Sequence, residues 1–151
     1  MNAKCSLLLL TLFALPAQAC GVLTVSDAWT RLAPPTATVM AAYATLGNAG
    51  EQSVLVQSAS SKDFERVEVH SMTMDNGVMQ MRKLDMLEVK VEQTVKLEPG
   101  GLHLMLIGPK RQFGMGDTIE VALRLCEENE QVVRFSVQES APSADHPAHA
   151  H

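Results

Sequence analysis

The stretch that decides the fold is His70-Ser71-Met72-Thr73-Met74-Asp75-Asn76-Gly77-Val78-Met79-Gln80-Met81-Arg82. Asn76-Gly77 is the strongest short hairpin signal, because both residues accept the positive φ that a type I′ turn demands. With these two as the loop, Asp75 pairs with Val78, Met74 with Met79 and Met72 with Met81. Directly paired residues share a face, and so do residues two apart on one strand. His70, Met72, Met74, Met79 and Met81 therefore point to one side of a two-stranded ladder.

A second piece has the same character. In Gly101-Leu102-His103-Leu104-Met105-Leu106-Ile107, His103 and Met105 are two apart and share a face. Leu102, Leu104 and Leu106 face the other way and read as core. Val67 and Val69 likewise alternate against Arg66, Glu68 and His70. In both segments the His/Met side lies opposite an aliphatic stripe, which places the cluster near the surface.

These residue types have a chemistry in common. Thioether sulfur is soft, uncharged and not protonated at physiological pH, and with neutral imidazole it suits Cu(I). Zn²⁺ takes Cys, His or carboxylate, and Mg²⁺ and Ca²⁺ want oxygen, so Met ligands argue against all three. A site with no charged ligand can release Cu(I) to a partner that offers thiolates. Methionine also fills irregular core gaps, so packing is the plain alternative for such a stripe. Two His–Met groups on separate strands, each turned from the aliphatic side, set a metal site beside that alternative.

Outward from these segments the alternation continues. Val22 to Trp29, Val39 to Leu46, Ser53 to Ser58, Arg66 to Met74, Val78 to Lys83, Leu87 to Val91, Thr94 to Leu97, Leu102 to Ile107, Thr118 to Cys126 and Gln131 to Gln138 are candidate strands. Pro34-Pro35, Gly47-Asn48-Ala49-Gly50, Asn76-Gly77, Pro99-Gly100-Gly101, Gly108-Pro109 and Gly114-Met115-Gly116 separate many of them. A short helical turn is expected near Ser61 to Phe64. Short strands at this spacing, with no long helical pattern and no internal repeat, predict an all-β sandwich or barrel.

The chain has 151 residues, 46% hydrophobic and 4% aromatic, with nine Met against one Trp and one Tyr. That supports one domain with its own core, and the hydrophobic share excludes disorder of the whole chain. Its formal net charge is -5. With no Lys/Arg cluster, the sequence offers no surface for nucleic acid.

Residues 1–19 read as a secretory signal peptide. Lys4 gives the positive start, Leu7 to Leu10 and Leu12 to Leu15 the apolar centre, and Ala17-Gln18-Ala19 the cleavage pattern. The run is shorter than the ~20 apolar residues of a membrane-spanning helix, and no later segment is longer. The expected organisation is a signal at 1–19, a β domain at 20–139 and a tail at 140–151 with little to bury. Cleavage puts Cys20 first. Lipid-anchor sites also place Cys there but usually carry Leu three residues earlier, where this chain has Ala17. A soluble periplasmic protein is the preferred expectation, with a lipoprotein anchored at Cys20 as the lesser one. Cys20 and Cys126 are candidates for a disulfide in an oxidising compartment, with Cys126 on the more polar face of its strand.

The spacing of His70, ten residues, Met81, twenty-one residues, His103, one residue and Met105 resembles the motif of the periplasmic copper chaperones called PCu(A)C. Val25-Ser26-Asp27-Ala28-Trp29-Thr30-Arg31 followed by Pro34-Pro35 is similar to that family's opening. Ala41-Ala42-Tyr43-Ala44-Thr45-Leu46 with Asn48 and Gly50 is similar to its next strand and turn, and the blocks around Met81 and His103 to its metal-binding segments. The resemblance implies a cupredoxin-like Greek-key β-sandwich that binds one Cu(I) through His70, Met81, His103 and Met105. It also implies delivery of copper for cytochrome c oxidase assembly. The partners would be the subunit carrying the dinuclear copper centre, a Sco-type thiol chaperone, or both. Met72, Met74 and Met79 are expected to form a hydrophobic docking rim, with transient ligation as the other reading.

His146, His149 and His151 form a second candidate group, on the tail. Imidazoles on a flexible chain suit Cu(II), and a solvated low-complexity end is the alternative. For the whole protein the competing readings are copper buffering without a dedicated client and a structural β-sandwich with surface Met. A blue-copper carrier would need a Cys thiolate beside its His ligands, and none lies near His70 or His103. Four protein ligands leave no open position for substrate, so the expectation is a binding protein and not an enzyme.

Overall fold

The computed structural model describes residues 20–126 and 129–141. The expected signal segment and His146, His149 and His151 lie outside the described residues. Eleven strands follow one another: β1 (Leu23–Arg31), β2 (Val39–Asn48), β3 (Val54–Val56), β4 (Ser58–Ser60), β5 (Phe64–Asp75), β6 (Val78–Leu84), β7 (Leu87–Val89), β8 (Thr94–Leu97), β9 (Leu102–Pro109), β10 (Thr118–Arg124) and β11 (Glu130–Gln138). No helix occurs among the described residues.

Nine strands form one sheet in the order β4-β10-β11-β1-β2-β8-β9-β5-β6. A further pairing of Ala59 with Val67 joins β4 to β5 and curls the sheet into a barrel-like form. β2 serves two neighbours: Val39 to Ala42 pair with β9, and Ala44 to Gly47 pair with β8. β1–β11 and β8–β9 are parallel, and the other pairings are antiparallel. β3 and β7 make a separate two-stranded ribbon.

The expected run Ser53 to Ser58 is thus two strands of different sheets. Val54 and Val56 pair with β7, whereas Ser58 and Ser60 pair with β10. Gln57, at the change-over, donates its N–H to the Arg124 carbonyl at 2.9 Å. Alternation records burial, not the partner, so the break is silent in sequence. Near Ser61 to Phe64, where a short helical turn is expected, the chain makes a single turn closed by Phe64 N–H on the Ser61 carbonyl.

The core follows the period-two pattern. Ile119, Val121 and Leu123 of β10, Val133, Phe135 and Val137 of β11, Val67 and Val69 of β5, and Leu104 and Leu106 of β9 are all buried. Each such side chain is worth ~1.5–3 kcal/mol relative to exposure. Cys20 and Cys126 are joined, with Cα atoms 5.8 Å apart. The bond ties the segment before β1 to the β10–β11 connection.

Asp117 organises the loop before β10. Its Oδ2 accepts the Gly114 N–H and an Arg111 Nη1–H, each at 3.0 Å. The Gly114 amide, and then Arg111, hold this carboxyl below its usual value of 3.8. A depressed carboxylate stabilises fully above the unfolded value and is lost as pH falls through the folded one. Asp117→Asn is therefore expected to lower the thermal midpoint at pH 6, with the gap to wild type closing below about pH 4. Circular dichroism melts at both pH values check this, and a gap that persists in acid would exclude the charge as its cause.

Candidate metal centre

The hairpin between β5 and β6 has the expected register: Met72 opposite Met81, Met74 opposite Met79, Asp75 opposite Val78. Asn76 and Gly77 take φ values of 49° and 77°, the positive pair a type I′ turn needs. On the other flank of β5, His70 lies directly opposite His103 of β9. Their ring centroids are 5.9 Å apart. Met105 faces Glu68 of β5 and Ala41 of β2. Three adjacent strands thus converge His70, Met81, His103 and Met105 on one face.

The cluster is not uniformly superficial. His103 is only 3% exposed, Met81 is 48% exposed, and His70 and Met105 are intermediate. Strand parity correctly turns His103 away from Leu102 and Leu104, but its neighbours cover it. Tyr43 of β2 stands 6.5 Å from the His103 ring, and Trp29 of β1 stands 4.8 Å from Tyr43. Trp29, Tyr43, His103 and His70 make one row across four strands.

Each imidazole is oriented by a hydrogen bond to one nitrogen. His103 Nδ1 is 3.1 Å from the Gly101 carbonyl. A carbonyl only accepts, so Nδ1 carries the proton and Nε2 keeps the lone pair. His70 Nε2 is 2.9 Å from Glu68 Oε2. Glu68 also meets Lys83 at 3.3 Å and Arg66 at 3.6 Å. The His70 hydrogen bond above all, with help from Lys83, holds the Glu68 carboxyl below the usual range against the opposing effect of burial. As a carboxylate it can only accept, which makes His70 Nε2 the donor. That leaves His70 Nδ1, which is buried and has no partner.

A buried polar atom without a partner costs ~1–3 kcal/mol. A carboxylate that fixes one ring nitrogen while the other is left bare is the usual support of a metal-binding histidine. The four side chains supply two imidazole nitrogens and two thioethers, a soft and uncharged set. Among the described residues no group of three or more His, Cys, Asp or Glu could hold a metal ion. A cleft of ≈ 380 Å³ opens beside the cluster, lined by Arg31, Tyr43, Met72, Met81, His103 and Met105 among others.

Glu68 and Tyr43 were not among the candidates read from sequence. Glu68 had a signal, since it lies two residues from His70 and shares its face. Tyr43 had none, because the β2–β9 pairing that brings it to His103 is not local.

The family model described as "Putative lipoprotein LpqE-like" matches residues 23–137. The chain belongs to the LpqE-like family. A protein of Leifsonia xyli named "Putative lipoprotein Lxx21020" is 31% identical over 123 residues, spanning 81% of this chain and 72% of the relative. The protein RP573 of Rickettsia prowazekii is 28% identical over 103 residues, which cover 68% of this chain and 57% of that one. The solved structure of the copper-bound PCuAC domain from PmoF2 is 21% identical, with a TM-score of 0.66 over 82% of this chain and 97% of the other. The solution structure of CuI-DR1885 from Deinococcus radiodurans is 25% identical, with a TM-score of 0.61 over 84% and 81%. Family model and structures together make this LpqE-like chain a PCuAC-family protein. No helix among the described residues is long and apolar enough to cross a membrane.

Proposed function

We propose that this protein is an extracytoplasmic copper chaperone, periplasmic by its leader, that carries one Cu(I) on His70, Met81, His103 and Met105. The observation that carries the reading is the buried, unpartnered Nδ1 of His70, on a ring whose centroid lies 5.9 Å from that of His103. Copper-bound relatives of the same fold lend it support. On this reading the closed sheet is a cupredoxin-like sandwich, and the site sits on the outer face of β5, β6 and β9.

The geometry suits holding and release. Glu68 and the Gly101 carbonyl hold the two rings, so binding spends little entropy on orienting them. Neutral ligands leave Cu(I) its charge, and an anionic thiolate partner can draw it away. The cleft reaches Met81, Met105 and His103, and Met81 is the most exposed of the four, so an incoming ligand meets it first. His103, the most buried, is the last to let go. The recipient we favour is the dinuclear copper centre of cytochrome c oxidase or a thiol chaperone serving it.

The test is a Cu(I) titration of the mature protein against a competing chelator, run beside His70→Ala and Met81→Ala. One tight equivalent, lost in both variants, is the expected result. Weak binding that ignores both substitutions would make the motif packing and end the chaperone reading.

A further inference from the structure

The hairpin carries more thioether than a four-ligand centre uses. Met74 faces Met79 one ladder step beyond the pair of Met72 and Met81, and a step on one face is two residues, about 6.7 Å along the strand. Met74 is 66% exposed and Met79 58%. β6 is the edge of the sheet, so no further strand of the sheet flanks this end of the hairpin. The two faces of the hairpin are segregated. Asp75, Gln80 and Arg82 form a hydrogen-bonded polar chain on the other face, and Val78 also points there by strand parity. Every position on the near face from Met72 to Met81 is Met. Apolar contact alone would be served equally by Leu or Val. Soft sulfur at all four positions is what a soft metal ion recognises. Met72 and Met81 also line the cleft that holds His103 and Met105, so the thioethers run from the hairpin tip to the inner centre.

We propose that Met74 and Met79 form an outer, weaker Cu(I) site through which the ion enters and leaves the inner centre by way of Met72 and Met81. The inference rests on the chaperone reading for its direction of traffic. Transfer is ligand exchange between neutral thioethers, with no change of oxidation state and no proton released.

The test uses protein labelled with ¹³C at the methionine methyl groups and titrated with Ag(I), a soft and diamagnetic ion. The first equivalent is expected to shift Met81 and Met105. The second should shift Met74 and Met79 together and saturably, and leave Met86 and Met115 still, although these are 57% and 56% exposed. The double variant Met74→Leu/Met79→Leu keeps an apolar patch and should bind one equivalent in place of two. The proposal falls if Met74 and Met79 respond no more than Met86 and Met115, or if the double variant keeps the second equivalent. The face would then be a docking rim only. A response at Met74 and Met79 with silence at Met81 and Met105 would support the outer site and overturn the inner one.

Discussion

Exchanging Met105 for Leu is expected to weaken Cu(I) binding by more than about 100-fold while leaving the fold in place. Loss of a supporting residue around a metal typically costs 10–100-fold, and loss of a ligand costs at least as much. Leu nearly conserves the volume of Met, and such swaps cost less than about 1.5 kcal/mol. Met105 points to the cleft, away from Leu104 and Leu106, which are buried in the core. The exchange therefore removes a sulfur and little packing. Chelator competition reads the affinity, and the urea midpoint reads the stability. An unchanged affinity would mean that Met105 does not ligate. A loss of several kcal/mol in stability would mean that it is a packing residue after all.

The half of the site that lies on the hairpin was legible because its determinants are local. Asn76-Gly77 sets the loop, the loop sets the register, and the register sets which side chains meet. The other half was legible only as a face. Parity put His103 and Met105 on one side of β9, but nothing in the residues says that β9 lies beside β5. The family resemblance supplied that link, and the structure places His70 opposite His103. Non-local pairings hid the rest. Tyr43 reaches His103 through the division of β2 between β8 and β9. The β3–β4 break depends on a change of partner that alternation does not record. Glu68 was visible on the correct face. Its role came out only once the second nitrogen of His70 proved to have no partner.

Replacing Cys126 by Ser is expected to cost about 4–5 kcal/mol of stability in the chain-entropy account, because Cys20 and Cys126 are 106 residues apart in sequence. For a domain of this size that corresponds to a fall of about 15 °C in the thermal midpoint. The 5.8 Å Cα separation lies within the range that a disulfide spans. Copper affinity should stay the same, since no ligand or ring-orienting group lies on the segments the bond joins. Thiol labelling of the mature wild-type protein checks the bond itself, with none expected before reduction and two after. The same count bears on anchoring. A lipid thioether uses the Cys20 sulfur, and so does the bond to Cys126, so one molecule cannot carry both. A lipidated Cys20 would leave Cys126 as a single labelled thiol whether or not reductant is present. The segment before β1 would then be a tether to the membrane instead of a staple across the domain, and Cys126→Ser would cost little.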